Sequence, residues 1–289
     1  FFRKSTKMSK SKIALVVIVY NKTLKESATL QGLSRFNTPL HHLVIVNNGP
    51  NSVQEDDFFL ELQQKHEQVT LENHLENKPL SWIYNDLIEK NTVDYYVMFD
   101  DDTEINPEYE HHLFHGLQNT DIELPKIYAR VDKVQHFPML NEQLLQQSGQ
   151  IHQIKTIFSV GSGLILSDRV KQIFTEKYEH VFDQHFAFYG VDSTFFLRLN
   201  QMIKDGYEFN ICSNTYLNHG LSLTEEALTD WRKKEFIYEN TLKVKYYSSS
   251  QLMSRLKFLR LMYRKLSHFE FRDLKIVIKT FMSGKHPRC

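Results

Sequence analysis

The feature that most constrains this chain is an alternation of strand and helix patterns that ends in three consecutive aspartates. Residues 13–20 are β-branched and apolar without polar alternation, which predicts a strand covered on both faces, as in a parallel sheet. Asn21 and Lys22 end it, and residues 24–36 read as a helix. A second buried strand at 42–46 stops at Asn47-Asn48-Gly49-Pro50, strong turn chemistry. A helix at 58–66, a short strand at 69–72 and a helix at 80–90 follow. The apolar strand at 95–99 then runs directly into Asp100-Asp101-Asp102. This order predicts an α/β fold, a mainly parallel Rossmann-like sheet flanked by helices.

After about residue 105 the rhythm loosens. Strands are expected at 127–134, 156–166, 207–211 and 215–217, and helices at 168–177 and 192–204. Ser222 and Glu225 have capping-box spacing for a helix continuing to about residue 247, and a further helical region spans 251–282. No internal repeat or Pro/Gly-rich linker divides the chain.

Composition removes several function classes. With 289 residues and 41% apolar content, the chain can bury a real core and is not a disordered linker. Its longest apolar stretch has eight residues, against the roughly 20 that a spanning helix needs. No segment reads as a secretory signal. Two cysteines, Cys212 and Cys289, make no disulfide framework, so a reducing, cytoplasmic address is the simplest expectation. Basic and acidic residues balance at 35 each, which argues against a nucleic-acid partner. The balance is nevertheless a cancellation. Residues 1–12, read as a flexible tail, hold five basic groups and no acidic ones; 251–289 hold ten against two; and 13–250 hold 20 against 33.

The triple aspartate is the strongest local signal for chemistry. Side chains two apart on an extended chain share a face, so Asp100 and Asp102 point into one cavity at the carboxyl end of a strand. Adjacent carboxylates repel, and a hard divalent cation, Mn²⁺ or Mg²⁺, compensates them; the alternative is a solvated acidic turn. A haloacid-dehalogenase-type phosphotransferase also uses Asp-x-Asp, but Glu104 stands where that pattern wants Thr or Val. Asp192 lies among aromatics, which would raise its pKa as a general base requires, or else it is an acid favoured at a helix N-terminus. Arg198, about 240° further round a helix, should not pair with Asp192 and reads as structural. His219 gains weight as a metal ligand only in combination with Asp102 and Asp192.

Taken together, Val19-Tyr20-Asn21, Asn47-Asn48-Gly49, Asn77, Asn85, Asp100-Asp101-Asp102-Thr103, Gly161-Ser162-Gly163, Asp192 through Arg198 and Asn218-His219 resemble family 2 glycosyltransferases of the GT-A fold. The flavour is that of bacterial rhamnosyltransferase-like and galactofuranosyltransferase-like enzymes of surface polysaccharides. The resemblance covers roughly residues 13–220, with Tyr238-Glu239-Asn240 similar to a helix that often follows. It implies a catalytic domain over 13–222, with a nucleotide-binding half at 13–105 and an acceptor half at 106–222, and a helical region at 223–289. It implies that Val19, Tyr20, Asn21, Asn47, Asn77, Asn85, Asp100 and Asp101 serve the nucleotide sugar. Asp102 and His219 would hold the metal, Gly161, Ser162 and Gly163 would line the acceptor side, and Asp192 would be the base. The donor would be a UDP- or dTDP-linked sugar, the acceptor a glycan or lipid-linked glycan of O-antigen or capsule type. One base without a second carboxylate nucleophile implies inversion. A non-catalytic nucleotide-sugar-binding or glycan-binding protein is the alternative. Asn47 stands where the family commonly has Asp, and Gly190 where it often has an acid.

In the C-terminal region, Leu252, Leu256, Leu259, Tyr263 and Leu266 form one helical stripe beside Lys257, Arg260 and Arg264. Such a helix either lies on an anionic membrane surface, on the inner face of the cytoplasmic membrane, or docks its apolar face on the catalytic domain or on a second subunit of a homo-oligomer.

Overall fold

The structure, a computed structural model, describes residues 11–220 and 229–289; most of the basic tail, and the pair Ser222 and Glu225, lie outside the described residues. The first half forms β1 (Ile13–Val19), α1 (Ala28–Leu33), β2 (His42–Asn47), α2 (Asp57–Lys65), β3 (Val69–Asn73), α3 (Leu80–Lys90) and β4 (Tyr95–Asp100). β1 pairs in parallel with both β2 and β4, and β2 with β3. Every residue of β1 is buried. Ile13, Leu15, Val17 and Val19 face a core shared with α1 and α2, while Ala14, Val16 and Ile18 face one shared with α3. Covered on both sides, the strand needs no polar alternation.

The second half contains α4 (Pro107–His115), β5 (Ile122–Glu123), β6 (Lys126–Ala129), β7 (Gln135–Phe137), β8 (Met139–Leu140), β9 (Gln143–Leu144), β10 (Gly149–Gln150), β11 (Ile157–Phe158), β12 (Ile165–Ser167), α5 (Asp168–Tyr178), α6 (Val191–Lys204), β13 (Ile211–Ser213) and β14 (Tyr216–His219). The main sheet has eight strands in the order β10-β13-β5-β12-β4-β1-β2-β3, and β12 runs antiparallel to β4 and β5. Two small three-stranded sheets, β11-β8-β9 and β14-β6-β7, sit beside it.

Several expected boundaries move, each for a local reason. The strand expected at 156–166 is interrupted by a tight turn in which Leu164 N–H donates to Gly161 O, with Gly163 at φ 81°. The strand at 127–134 turns back through Lys133 at φ 58° to become β7. The strand at 207–211 begins only at Ile211. α4 was not expected; Asn106 caps it by accepting Tyr109 N–H, and Pro107 opens it.

The C-terminal region is α7 (Asp230–Tyr246), α8 (Gln251–Ser267) and α9 (Phe271–Ser283), which pack on one another. The single helical region expected at 251–282 breaks at Phe269, φ 57°. Beyond α9 the chain returns to the body, where Arg288 donates to Asn77 and, like His286, approaches Glu235. Among the described residues, no helix is long and apolar enough to cross a membrane.

Candidate active site

Parallel register brings the ends of three strands to one edge: Val19 lies opposite Asn47, and Ile18 opposite Asp100. This carboxyl edge is where open α/β sheets bind ligands. Tyr20, just past β1, is 49% exposed there. Asn21 takes φ 53° and donates its N–H to Gly49 O. Asn47 builds the turn after β2, donating to Asn51 O and Asn73 Oδ1, each at 2.7 Å. Asn48 donates to Asn77 Oδ1 at 3.2 Å, so Asn77 joins the same corner. Two of the expected nucleotide-side residues also make bonds within the protein. Asn85 exchanges bonds of 2.9 and 3.0 Å with the backbone of Phe182, and Asp101 accepts from Tyr20 N–H and the Lys22 ammonium.

In the turn just past β4, Asp101 faces Tyr20 N–H and Lys22, whereas Asp100 and Asp102 meet His219. His219 Nδ1 lies 3.1 Å from Asp102 Oδ1, and Nε2 lies 3.6 Å from Asp100 Oδ2. The imidazole arrives from residues far along the chain because Glu104 N–H donates to Asn218 O, stitching β14 to the segment after β4. Beneath it, Thr103 Oγ1 contacts His219 Nδ1 at 2.9 Å and Ser162 Oγ at 2.7 Å. This buried hydroxyl pair fixes the ring. Sequence reasoning assigned Thr103 no place beside this ring.

The charges in this cluster are strongly coupled. Burial, with Asp102, Asp192 and Asp101 nearby, pushes Asp100 up to about 7 against the pull of His219. Its side chain is still 42% open to the cleft, and water screens part of that effect. Burial also pushes Asp102 upward, but the neighbouring His219 imidazole outweighs this and leaves it below the usual carboxylate range. His219 is held above the ordinary imidazole value: burial opposes its charge, and Asp102, Asp100 and Asp192 more than compensate.

These residues fit a divalent cation. One ligand atom from each of Asp100, Asp102 and His219 lies within 4.8 Å of the others. Bonds of about 2.1 Å to Mg²⁺ place ligand atoms roughly 3–4 Å apart, so a small closure completes the set. Asp102 Oδ1 is buried without a well-formed hydrogen bond, an acceptor that a cation would satisfy.

Asp192 stands in the first turn of α6, after Gly190 at φ 95°. Burial pushes its carboxyl up; the Gly161 backbone and His219 hold it down, and Glu239 adds to the rise. Of the three residues expected on the acceptor side, only Gly161 touches Asp192: a Cβ there would lie 2.5 Å from Asp192 Oδ1. Ser162 is buried under Asp100, and Gly163 packs where a Cβ would meet Leu217 and Pro125. Arg198 stays away from Asp192, pairing with Asp183 at 3.2 Å.

Asp100, Asp192 and His219 line one cavity of about 330 Å³. Much of its wall is aromatic. Phe137, Phe158, Tyr189 and Phe236 come from different elements, and the Tyr189 and Phe236 rings stack at 4.3 Å and 9°. Tyr84, buried below, is pushed well above its ordinary value by burial and by Asp100 and Asp192, so it stays protonated. From α7, Glu239 reaches over Gly190, accepting from Ser193 Oγ at 3.2 Å. An acid absent from position 190 is thus present in space. No pattern along the chain marks these wall residues, because only tertiary packing gathers them.

No protein-family model and no curated protein matches this sequence. Among solved structures, the chain is similar to S. aureus TarS, with a TM-score of 0.53 at 13% identity over 84% of this chain. It spans only 41% of that TarS chain. The TarS 1–349 structure in complex with UDP-GlcNAc gives a TM-score of 0.53 at 13% identity, covering 69% of its chain. The complex with UDP gives 0.53 at 14% identity, covering 68%. TarS is a GT-A family 2 glycosyltransferase, and at these identities the likeness speaks for the fold: this chain has the GT-A fold.

Proposed function

We propose that this GT-A-fold chain is an inverting, metal-dependent glycosyltransferase that moves a sugar from a nucleotide diphosphate, UDP- or dTDP-linked, to a hydroxyl of a bacterial surface glycan. The observation that carries this reading is the placement of Asp192 across one aromatic-walled cavity from Asp100 and His219 at the carboxyl edge of the sheet. TarS 1–349 binds UDP-GlcNAc and UDP, which supports a nucleotide-sugar donor here.

Asp192 accepts the proton of the acceptor hydroxyl as its oxygen attacks the anomeric carbon. The bond from that carbon to the diphosphate oxygen breaks on the opposite face, so configuration inverts. A raised pKa suits a carboxylate that must gain a proton during the reaction and hold it no longer than one turnover. Bound at Asp102 and His219 with Asp100, Mn²⁺ or Mg²⁺ would neutralise charge on the leaving diphosphate. Tyr20 and the Asn47 turn would receive the nucleoside. Tyr189 and Phe236 offer the acceptor sugar an apolar platform. An O-antigen or capsule glycan, carried on a lipid at the cytoplasmic face of the membrane, fits this reading as acceptor.

The test is direct. Asp192→Asn should abolish transfer while the thermal shift given by UDP or dTDP with Mn²⁺ survives; normal turnover in that variant would refute the assignment.

A further inference from the structure

α8 packs on α7 and α9, and its less exposed positions, Ser254, Phe258, Leu261, Met262 and Lys265, fall on one face. Phe258 stacks on Phe281 of α9 at 3.9 Å. The sequence stripe is not this docked face. By the 3.6-residue period, Leu252, Leu256, Leu259, Tyr263 and Leu266 lie on the opposite side, and their exposure runs from 50% to 73%. Arg255 flanks that stripe on one side, and Lys257, Arg260 and Arg264 on the other, all exposed. At the corner into α9, Phe269 and Phe271 are 78% and 59% exposed, with their rings in a T-shaped contact at 6.2 Å. Ten basic residues face two acidic ones over 251–289, and both acids, Glu270 and Asp273, are bonded to Lys265.

We propose that this outward face of α8, with the Phe269 and Phe271 corner, is a contact surface for an anionic lipid bilayer. The leucines and Tyr263 enter the acyl boundary, and the flanking Arg and Lys side chains reach up to headgroup phosphates. Charge decides between lipid and a second copy of the chain. An isologous contact through this face would press two unneutralised basic flanks together, whereas an anionic surface neutralises them. The placement is also functional: α7 presents Phe236 and Glu239 to the cleft and packs against α8. The lipid face is therefore carried by a helix that packs directly on the one supplying part of the cleft wall. Only this last consequence, access to a lipid-borne acceptor, rests on the transfer reading.

The experiment is flotation of the full chain with phosphatidylcholine vesicles and with phosphatidylcholine–phosphatidylglycerol vesicles, at low and high salt. The chain should float with the anionic vesicles only and be released by salt. The triple variant Leu256→Ser, Leu259→Ser, Tyr263→Ser should lose flotation with an unchanged melting temperature, since all three side chains are exposed. Arg260→Ser with Arg264→Ser should weaken it about 25-fold, at about fivefold per basic side chain. No flotation, equal flotation of the triple variant, or a solution dimer that the triple variant dissociates would each overturn the proposal. The nucleotide-dependent thermal shift, measured on the same variants, reports the donor site separately.

Discussion

Gly161→Ala tests the active-site geometry without removing any functional group. Gly161 does not sit in left-handed backbone, so alanine is tolerated there by the main chain. Its new Cβ would stand 2.5 Å from Asp192 Oδ1, 3.0 Å from Cγ and 3.3 Å from Oδ2. Ordinary contact begins near 3.4 Å, so the carboxylate must withdraw by about 1 Å and gives up its bond from the Gly161 backbone. A displacement of about 1 Å at a catalytic group costs roughly 10²-fold in rate. Losing a bond that holds the carboxylate down also moves its pKa further up. Single-turnover transfer should therefore fall about 100-fold, while the Kd of the nucleotide donor, measured by calorimetry, changes less than about twofold. The melting temperature should barely move, because a carboxylate tip yields by rotation. Gly163→Ala is the contrasting control: at φ 81°, with Leu217 Cδ1 at 2.3 Å from its Cβ, it should lose stability instead. A Gly161→Ala enzyme with wild-type turnover would refute the placement of the base, and so would a loss explained wholly by donor affinity.

Other outcomes follow from the same geometry. Asp102→Asn should abolish the extra thermal stabilisation that Mn²⁺ gives to UDP binding, read by melting with and without EDTA. Because protons compete with the cation at Asp100, held up at about 7, and at His219, held above its usual value, Mn²⁺ affinity should weaken as the pH falls from about 8 to about 6; calorimetry across that range checks it. Asp183 accepts from His185 and Tyr247 and pairs with Arg198; against the upward push of burial these hold it down at about 2. A depressed carboxylate adds stability above its unfolded value near 4 and loses it as the pH falls toward 2. Asp183→Asn should therefore cost about 2–3 kcal/mol in urea unfolding at neutral pH, with the difference vanishing in acid.

The sequence by itself determined the first half of the fold and the acidic end of the site. Strand β1 announces itself because burial on both faces requires seven apolar residues in a row, and the apolar run of β4 passing directly into three carboxylates marks where the acidic cluster forms. The irregular half was less legible, since strands of two or three residues such as β5, β8 and β11 carry too few side chains for any period to show. Tertiary structure alone decided that Thr103 and Ser162 orient His219, that Glu239 stands over Gly190, and that Tyr189 meets Phe236. It decided the C-terminal helices as well. An apolar stripe in sequence reads equally as a docked face or a free one, and only packing shows that α8 stacks Phe258 on α9 and turns the stripe of Leu252, Leu256, Leu259, Tyr263 and Leu266 outward. The physical reason is common to all of these. Periodicity records which side of its own element a residue occupies, whereas what stands opposite that side is set by distant chain brought there by the fold.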